Sequence, residues 1–258
     1  MPAGAERILD ARSLASSNRR LAELLAPGMD VLDAGCGTGA ITRDIADAVG
    51  PRGVVVGADI SEALLRRAAA ERSNRPGPWF VRSDLFALPF RRAFDIVTAA
   101  RVLQWVRSPE AAVAALIDAA RPGGIVLVLD YDHEQIEWTP LPPPSMQRFY
   151  AAFLRWREEA GMDNAIAGRL PALFESAGLA DIRVTPQHER TARGEADFDS
   201  RIGIWAEVAA TRGHQMVADG VLAEAERAAA EADYRSWIQS AAESQMLFLL
   251  AVEGSVRT

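Results

Sequence analysis

Hydrophobic and polar positions fall into blocks along the first half of the chain. Ile8, Leu9, Leu14, Leu21, Leu24 and Leu25 recur among charges over residues 5–25, the spacing of one or two amphipathic helices that Pro27-Gly28 stops. Met29-Asp30-Val31-Leu32-Asp33 then runs into a glycine-rich loop, and residues 41–49 return to helical periodicity. Residues 53–59 read as a buried strand, Ser61 as an N-cap, and 63–72 as the helix behind it. Trp79-Phe80-Val81 leads to Ser83-Asp84, residues 94–100 form a further strand, and 109–121 predict a helix closed by Pro122-Gly123-Gly124. Ile125 to Leu129 is again wholly apolar. Near-continuous apolar strands alternating with helices predict a parallel sheet covered on both faces.

After Asp130 the rhythm breaks. A Pro-rich stretch at 138–144 precedes aromatic residues at helical spacing over 147–160. Residues 170–177 predict a helix, Ile182-Arg183-Val184 a strand, 198–239 a helical stretch, and 246–252 a last apolar run. With no repeat and no low-complexity linker, one sheet domain with helical embellishments is expected over 1–258.

Composition narrows the chemistry. All 28 basic residues are Arg, so Schiff-base, P-loop and kinase-type lysine chemistry is excluded. A single cysteine, Cys36, excludes an intramolecular disulfide and any multi-cysteine metal site, and the three histidines, 133, 188 and 214, are scattered. The net charge of −7 argues against nucleic-acid binding, and no apolar run reaches the ~18 residues of a membrane span. The first residues lack the apolar region of a secretory leader, so a cytoplasmic protein with no membrane partner is expected.

The informative segment is Val31-Leu32-Asp33-Ala34-Gly35-Cys36-Gly37-Thr38-Gly39. A strand that turns into a helix through alternating glycines lets a ligand approach bare backbone and unpaired N–H groups. Asp59 ends the next strand, where a carboxylate can take both hydroxyls of a ribose, and Asp84 ends the third. Gly35-x-Gly37-x-x-Ala40 also satisfies a dinucleotide pattern. The acidic Asp33, the third glycine at 39 and Asp84 favour a ligand carrying positive charge over a pyrophosphate.

The chain at this point resembles the class I S-adenosylmethionine-dependent methyltransferases, in particular the small-molecule group that includes ubiquinone/menaquinone-type and methyltransferase-type-11 enzymes. The resemblance rests on the glycine segment, Gly57-Ala58-Asp59-Ile60-Ser61, Ser83-Asp84-Leu85-Phe86-Ala87-Leu88-Pro89-Phe90, Phe94-Asp95-Ile96-Val97 and Arg121-Pro122-Gly123-Gly124, in family order. It implies an α/β, Rossmann-like doubly wound sheet of about seven strands, mostly parallel with the last antiparallel, carrying helical lid insertions. The corresponding divisions are N-terminal helices over 1–28, a cofactor-binding core over 29–131, a lid insertion over 132–165, and remaining sheet over 166–258 with a helical insertion near 197–241. The implied cofactor is S-adenosylmethionine, leaving as S-adenosylhomocysteine. Asp33 and the backbone of Gly35 and Gly37 would hold the methionyl amino end, with Thr38 and Gly39 completing the loop. Asp59 would take the ribose hydroxyls, Ile60 would pack on the adenine, and Asp84 with Leu85 would meet its amino edge. Ala100 and Arg101 follow the fourth strand on the methionyl side; the family more often has a small polar residue or Asn there, so Arg101 is a departure.

Methyl transfer needs positioning more than a dedicated catalytic group, so the acceptor is not legible in the cofactor motifs. Asp130-Tyr131-Asp132-His133-Glu134 is expected just past the fifth strand, with His133 as a candidate general base for an O–H, N–H or activated C–H. A metal at this cluster fits no ligand template, so none is expected. Arg19, Trp105, Trp138, Phe149, Tyr150, Phe153 and Trp205 are candidates for a largely apolar acceptor pocket, with Arg19 and Arg101 the cations for an acidic acceptor. Core packing is the competing reading of the aromatic residues. The expected partner is a small-molecule acceptor, and the N-terminal helices offer a surface for a homodimer. The competing function on the same fold is a cofactor-binding, non-methylating enzyme of cyclase type or a partner subunit; a nicotinamide oxidoreductase is a more distant one.

Overall fold

A computed structural model describes residues 9–10, 12–71 and 77–257. Ile8 and Arg72, assigned to helices by the sequence pattern, lie outside the described residues. The chain divides into two compact units. The larger draws its described residues from Glu6–Tyr131, Ala165–Gln187 and Leu249–Thr258; the smaller draws its own from Asp132–Asn164 and His188–Phe248.

Eight strands form the sheet among the described residues: β1 (Val31–Ala34), β2 (Val55–Asp59), β3 (Trp79–Arg82), β4 (Phe94–Ala100), β5 (Ala120–Thr139), β6 (Ala180–Pro186), β7 (Glu189–Ala192) and β8 (Ser244–Ser255). Their order is β3-β2-β1-β4-β5-β8-β6, with β7 paired to β8. The β1–β2, β2–β3, β1–β4 and β4–β5 pairs are parallel, whereas β6 and β7 run antiparallel to β8. The mostly parallel, doubly wound sheet is thus present, with one strand more than expected. β7 has no apolar alternation to announce it, and its pairing of Glu189 with Leu247 belongs to the smaller unit. Chain order steps outward from β1 to β3 and then returns to β4 on the other side of β1. Open α/β sheets bind ligands at that reversal, outside the carboxyl ends of the strands.

In the larger unit, helices α1 (Leu14–Ser17), α2 (Arg19–Leu24), α3 (Ala40–Val49), α4 (Glu62–Ala70), α5 (Pro109–Ala119) and α7 (Ile166–Ser176) accompany the sheet; α6 (Pro144–Glu159) belongs to the smaller unit. Leu32, Val97, Val126 and Val128 are fully buried and share a core with Ala112, Val113 and Leu116 of α5. This α5 ends at Ala119, two residues before the expected stop, because Ala120 already pairs with Phe94.

The acidic segment after Leu129 does not leave the strand as expected; β5 continues to Thr139. Asp130 and Asp132 stay buried because local donors satisfy them. The Tyr131 amide donates to Asp130 Oδ1 and the Glu134 amide to Asp132 Oδ1, each at 3.0 Å. Polar residues are tolerated in a buried strand when their lone pairs are occupied.

The smaller unit contains α6, α8 (Phe198–Ile202), α9 (Ile204–Ala218) and α10 (Glu224–Ser240). Tyr234 of α10 organises it. Its hydroxyl donates to the Ile202 carbonyl at 3.0 Å and accepts from Trp138 Nε1 at 3.1 Å. On α6, the fully buried Arg157 donates through Nε to Asn164 Oδ1 at 2.8 Å.

Truncating Leu116 tests the larger core. Leu116→Ala is expected to destabilise the protein by about 3 kcal/mol, the usual cost of a buried leucine-sized cavity, read as an earlier midpoint in urea with the slope unchanged.

Candidate cofactor site

The site is built on the loop between β1 and α3. Gly35 carries φ +78°, and a Cβ there would meet Val102 Cγ2 at 2.3 Å, so both conformation and space require glycine. Gly39, at φ +74°, N-caps α3, and its missing side chain leaves room for the Phe80 ring, 2.6 Å from where a Cβ would stand. No side chain caps α3, so its first-turn amides remain available to a ligand. The Gly35 and Cys36 amides donate to the Ala58 carbonyl at 2.7 and 3.1 Å, holding the loop against β2.

Asp33, buried at the end of β1, lies in register with Gly57 on one side and Thr98 on the other. Thr42 Oγ1 donates to its Oδ2 at 2.6 Å. Burial raises the carboxyl to about 6 against that hydrogen bond, with a smaller push from Asp59. A desolvated acid is stabilised by a cation brought beside it.

Asp59 ends β2 and is fixed through both oxygens. Gly37 N–H donates to Oδ2 at 2.9 Å and Ser61 N–H to Oδ1 at 2.8 Å. Each carboxylate oxygen can accept a second hydrogen bond, so this preset carboxylate retains capacity for a diol. Ile60, beside it, is 64% exposed, a large aliphatic side chain left on the surface of the unit. Asp84 follows β3 and caps the turn Leu85–Ala87, its Oδ1 accepting from the Phe86 amide at 3.0 Å; Leu85 is half-buried. Thr38 is buried, and its hydroxyl has no hydrogen-bond partner among the described residues.

Ala100, the last residue of β4, is half-buried, and Arg101 after it is buried in the left-handed region, at φ +61°. That conformation costs a non-glycine residue on the order of 1–2 kcal/mol. Surrounding bonds hold it: the Arg101 amide donates to the Leu129 carbonyl at 2.6 Å, Nε to the Tyr131 hydroxyl at 3.1 Å, and a terminal nitrogen to the Ser17 carbonyl at 3.0 Å. Trp105 is half-buried in the turn that follows. Arg19 is exposed on the first turn of α2; its neighbour Arg20 turns inward instead, onto Glu253 and Glu23.

The remaining candidates belong to the smaller unit. Trp205 packs edge-to-face on Tyr150 at 4.6 Å between centroids and on Phe153 at 5.5 Å. Trp138 lies 5.1 Å from Tyr150, and His133 lies 6.0 Å from Phe153 and 6.2 Å from Trp205. Phe149 is buried elsewhere, against Gly213. His133 is buried, its amide donating to Asn164 O at 2.8 Å and its carbonyl accepting the Tyr150 hydroxyl. Burial, aided by the Arg157 charge, holds its imidazole well below the usual histidine range, so it is neutral at physiological pH. His188 stacks on Phe248 and His214 is exposed near Glu224, both structural settings. Among the described residues, no three His, Cys, Asp or Glu side chains group to hold a metal, and no helix is long and apolar enough to cross a membrane.

Thr42 and the Ser17 carbonyl escape a reading of the sequence. Neither belongs to a motif; Thr42 alone carries a signal, a hydroxyl on the first turn of the helix that follows the glycine loop.

Residues 32–128 match the family model described as a methyltransferase domain. This segment belongs to the methyltransferase domain family. Every candidate cofactor residue lies within it. Nocamycin O-methyltransferase of Saccharothrix syringae is 37% identical over 142 residues, 53% of this chain and 48% of that protein. The ubiquinone/menaquinone biosynthesis C-methyltransferase UbiE of Burkholderia vietnamiensis is 38% identical over 145 residues, 55% of each. The chain therefore spans about half the length of these curated relatives. Among solved structures, Haemonchus contortus phosphoethanolamine N-methyltransferase 2, in complex with phosphomonomethylethanolamine and S-adenosylhomocysteine, shares the fold. Its TM-score is 0.58 at 16% identity, covering 93% of this chain and 53% of that one.

The methyltransferase domain's buried acid has a measurable consequence. Asp33 is raised in the folded state, so its contribution to stability is full below about 4 and lost as pH rises through about 6. Asp33→Asn is therefore expected to be more stable than the native protein above pH 7, by up to about 3 kcal/mol, with the gap closing by pH 4. Denaturant titrations across that range check it, and a gap independent of pH would contradict it.

Proposed function

We propose that the chain transfers a methyl group from S-adenosylmethionine to an O, N or C atom of a small-molecule acceptor, releasing S-adenosylhomocysteine. The observation that carries this reading is the chemistry of three successive strand ends. Near its end β1 carries a buried carboxylate suited to an ammonium, β2 ends in a backbone-fixed carboxylate beside the exposed Ile60, and Asp84 follows β3. An adenosyl group with a cationic amino-acid tail matches that series. In this reading Asp33 neutralises the methionyl ammonium, with Gly35, Gly37, Thr38 and Gly39 lining its approach. Asp59 accepts the ribose hydroxyls, Ile60 covers one adenine face, and Asp84 with Leu85 meets the adenine edge; Ala100 borders the methionyl side. When bound, the cofactor supplies a methyl group on a cationic sulfur, already activated for displacement.

The protein's own work is then orientation, exclusion of water and handling of one proton. His133, neutral and buried, is the residue we assign to accept a proton from the acceptor. Trp138, Tyr150, Phe153 and Trp205 form the apolar cluster we assign to acceptor recognition, which favours a planar or largely apolar molecule. The natural-product and quinone methyltransferases among the relatives support an acceptor of that kind. The chain's net charge of −7 favours a small acceptor over nucleic acid.

Calorimetry with S-adenosylhomocysteine tests the cofactor assignment. Binding is expected in the micromolar range, tightening as pH rises through about 6 because Asp33 must ionise, and weakening at least about tenfold in Asp59→Ala, which removes a charged hydrogen-bond acceptor. No binding to the native protein would refute the reading. Intact binding with no product from labelled methyl donor and a broad acceptor panel would instead favour a non-methylating enzyme on this fold. With an acceptor in hand, His133→Gln is expected to lower kcat about a hundredfold while leaving cofactor affinity unchanged.

A further inference from the structure

Four rings of the smaller unit meet one tryptophan. Trp205 packs edge-to-face on Tyr150, Phe153, His133 and Trp138, with centroids 4.6, 5.5, 6.2 and 6.4 Å away. It is the second residue of α9, and the backbone before it is pinned. The Gly203 amide donates to the Asp199 carbonyl at 3.1 Å, and a Cβ on Gly203 would stand 2.7 Å from that same oxygen. The Ile202 carbonyl is held by the Tyr234 hydroxyl at 3.0 Å. Trp205 is 3% exposed, so its ring is fixed in place among its neighbours.

The phenol and the other indole of this cluster spend their hydrogens inside the protein. Tyr150 donates to the His133 carbonyl, and Trp138 Nε1 is shared between the Tyr234 hydroxyl and Gln245 Oε1, each at 3.1 Å. The Trp205 N–H is buried and has no hydrogen-bond partner among the described residues. A phenyl ring could pack edge-to-face here without the cost of an unpaired buried donor. Packing therefore accounts for the ring of Trp205 and not for its N–H, and an indole can only donate. Trp237 also keeps an unpaired N–H, but its ring packs on Tyr234 and not on this cluster.

We infer that the Trp205 N–H is the specificity-determining donor for the methyl acceptor, and that the acceptor carries a neutral carbonyl oxygen on a flat ring. The inference rests on the acceptor-recognition role given to this cluster above. Ring edges and faces suit a flat, apolar body. A carbonyl oxygen satisfies the donor without bringing a hydrogen of its own to be paired, and an uncharged oxygen avoids the cost of placing a charge among rings. A site that holds one donor ready for such an oxygen rejects analogues that lack it, because the donor then stays unpaired.

Nuclear magnetic resonance titration with 1-indanone and indane, which differ only in the carbonyl, tests it. The chain has six tryptophans, hence six indole N–H signals to follow, and Trp205→Phe identifies the one at issue. In the native protein 1-indanone is expected to move the Trp205 N–H signal downfield and to bind about tenfold tighter than indane, the scale of one hydrogen bond. Trp205→Phe should bring the two ligands within about twofold of each other and leave S-adenosylhomocysteine affinity unchanged. If Trp205→Phe fails to fold, the native signal, identified through its proximity to the Tyr150 ring protons, carries the test alone. A Trp205 signal that 1-indanone leaves in place would overturn the inference, as would a preference for the ketone that survives in Trp205→Phe. Absence of S-adenosylhomocysteine binding by the native protein, with Trp205 responding as stated, would refute the cofactor reading while upholding the carbonyl site.

Discussion

A carboxylate taken out of water at the end of β1 is the constraint around which the larger unit is arranged. Asp33 sits between two strands, so its flanks must be small: Gly57 on β2 and Thr98 on β4. A side chain on Gly57 would meet Cys36 Sγ and the Phe80 ring, each at 2.9 Å. Cys36 and Phe80 therefore dictate the glycine beside the acid, and a hydroxyl on α3 satisfies one of the acid's lone pairs. Burying an acid without a full complement of partners is unfavourable, and proteins accept such costs where a ligand will supply the missing charge.

The absence of lysine acquires a structural meaning once the arginines are traced. Arginines in both units act as anchors on backbone carbonyls and carboxylates. Arg227 joins Glu224, Glu231 and the Ala209 carbonyl, and Arg193 reaches the carbonyls of Ile238 and Ala242. Arg20 grips Glu253 through two nitrogens. A guanidinium serves several acceptors in one plane, whereas an ammonium concentrates a strongly hydrated charge that resists burial. These sites would not survive an exchange to lysine, although nothing in the proposed chemistry needs either cation as a nucleophile.

What the sequence discloses and what it withholds divide along the same physical line. The glycine loop, Asp59 and Asp84 are legible because backbone conformation and strand register fix their meaning within a few residues. The parallel sheet is legible because strands buried on both faces must be apolar throughout. The length of β5 is not: Asp130, Asp132 and His133 look like a loop until their local hydrogen bonds are seen. Nor could the sequence say that Arg20, and not Arg19, turns inward, since a one-residue step around a six-residue helix shifts a side chain by about 100° and both carry the same charge. The aromatic residues around Trp205 are visible as a helical stripe, but Phe149 shares that stripe and packs apart from them, against Gly213.

Two local costs stand close together along this crevice, the buried acid at Asp33 and the left-handed backbone at Arg101, and they act on different quantities. The acid acts through charge: it favours whichever state brings a cation, and in the proposed function that is the state with cofactor bound. The strained arginine acts through connectivity, because its bonds join segments distant in sequence without supplying the cation that Asp33 lacks. Thr42 serves Asp33, whereas Tyr131 and the Ser17 carbonyl serve Arg101. Non-overlapping partners are the condition under which free energies add. The double variant Asp33→Asn with Arg101→Gln tests whether the two costs add: a stability change equal to the sum of the single changes marks them as independent, and a larger loss marks the glycine loop and the end of β4 as one cooperative body.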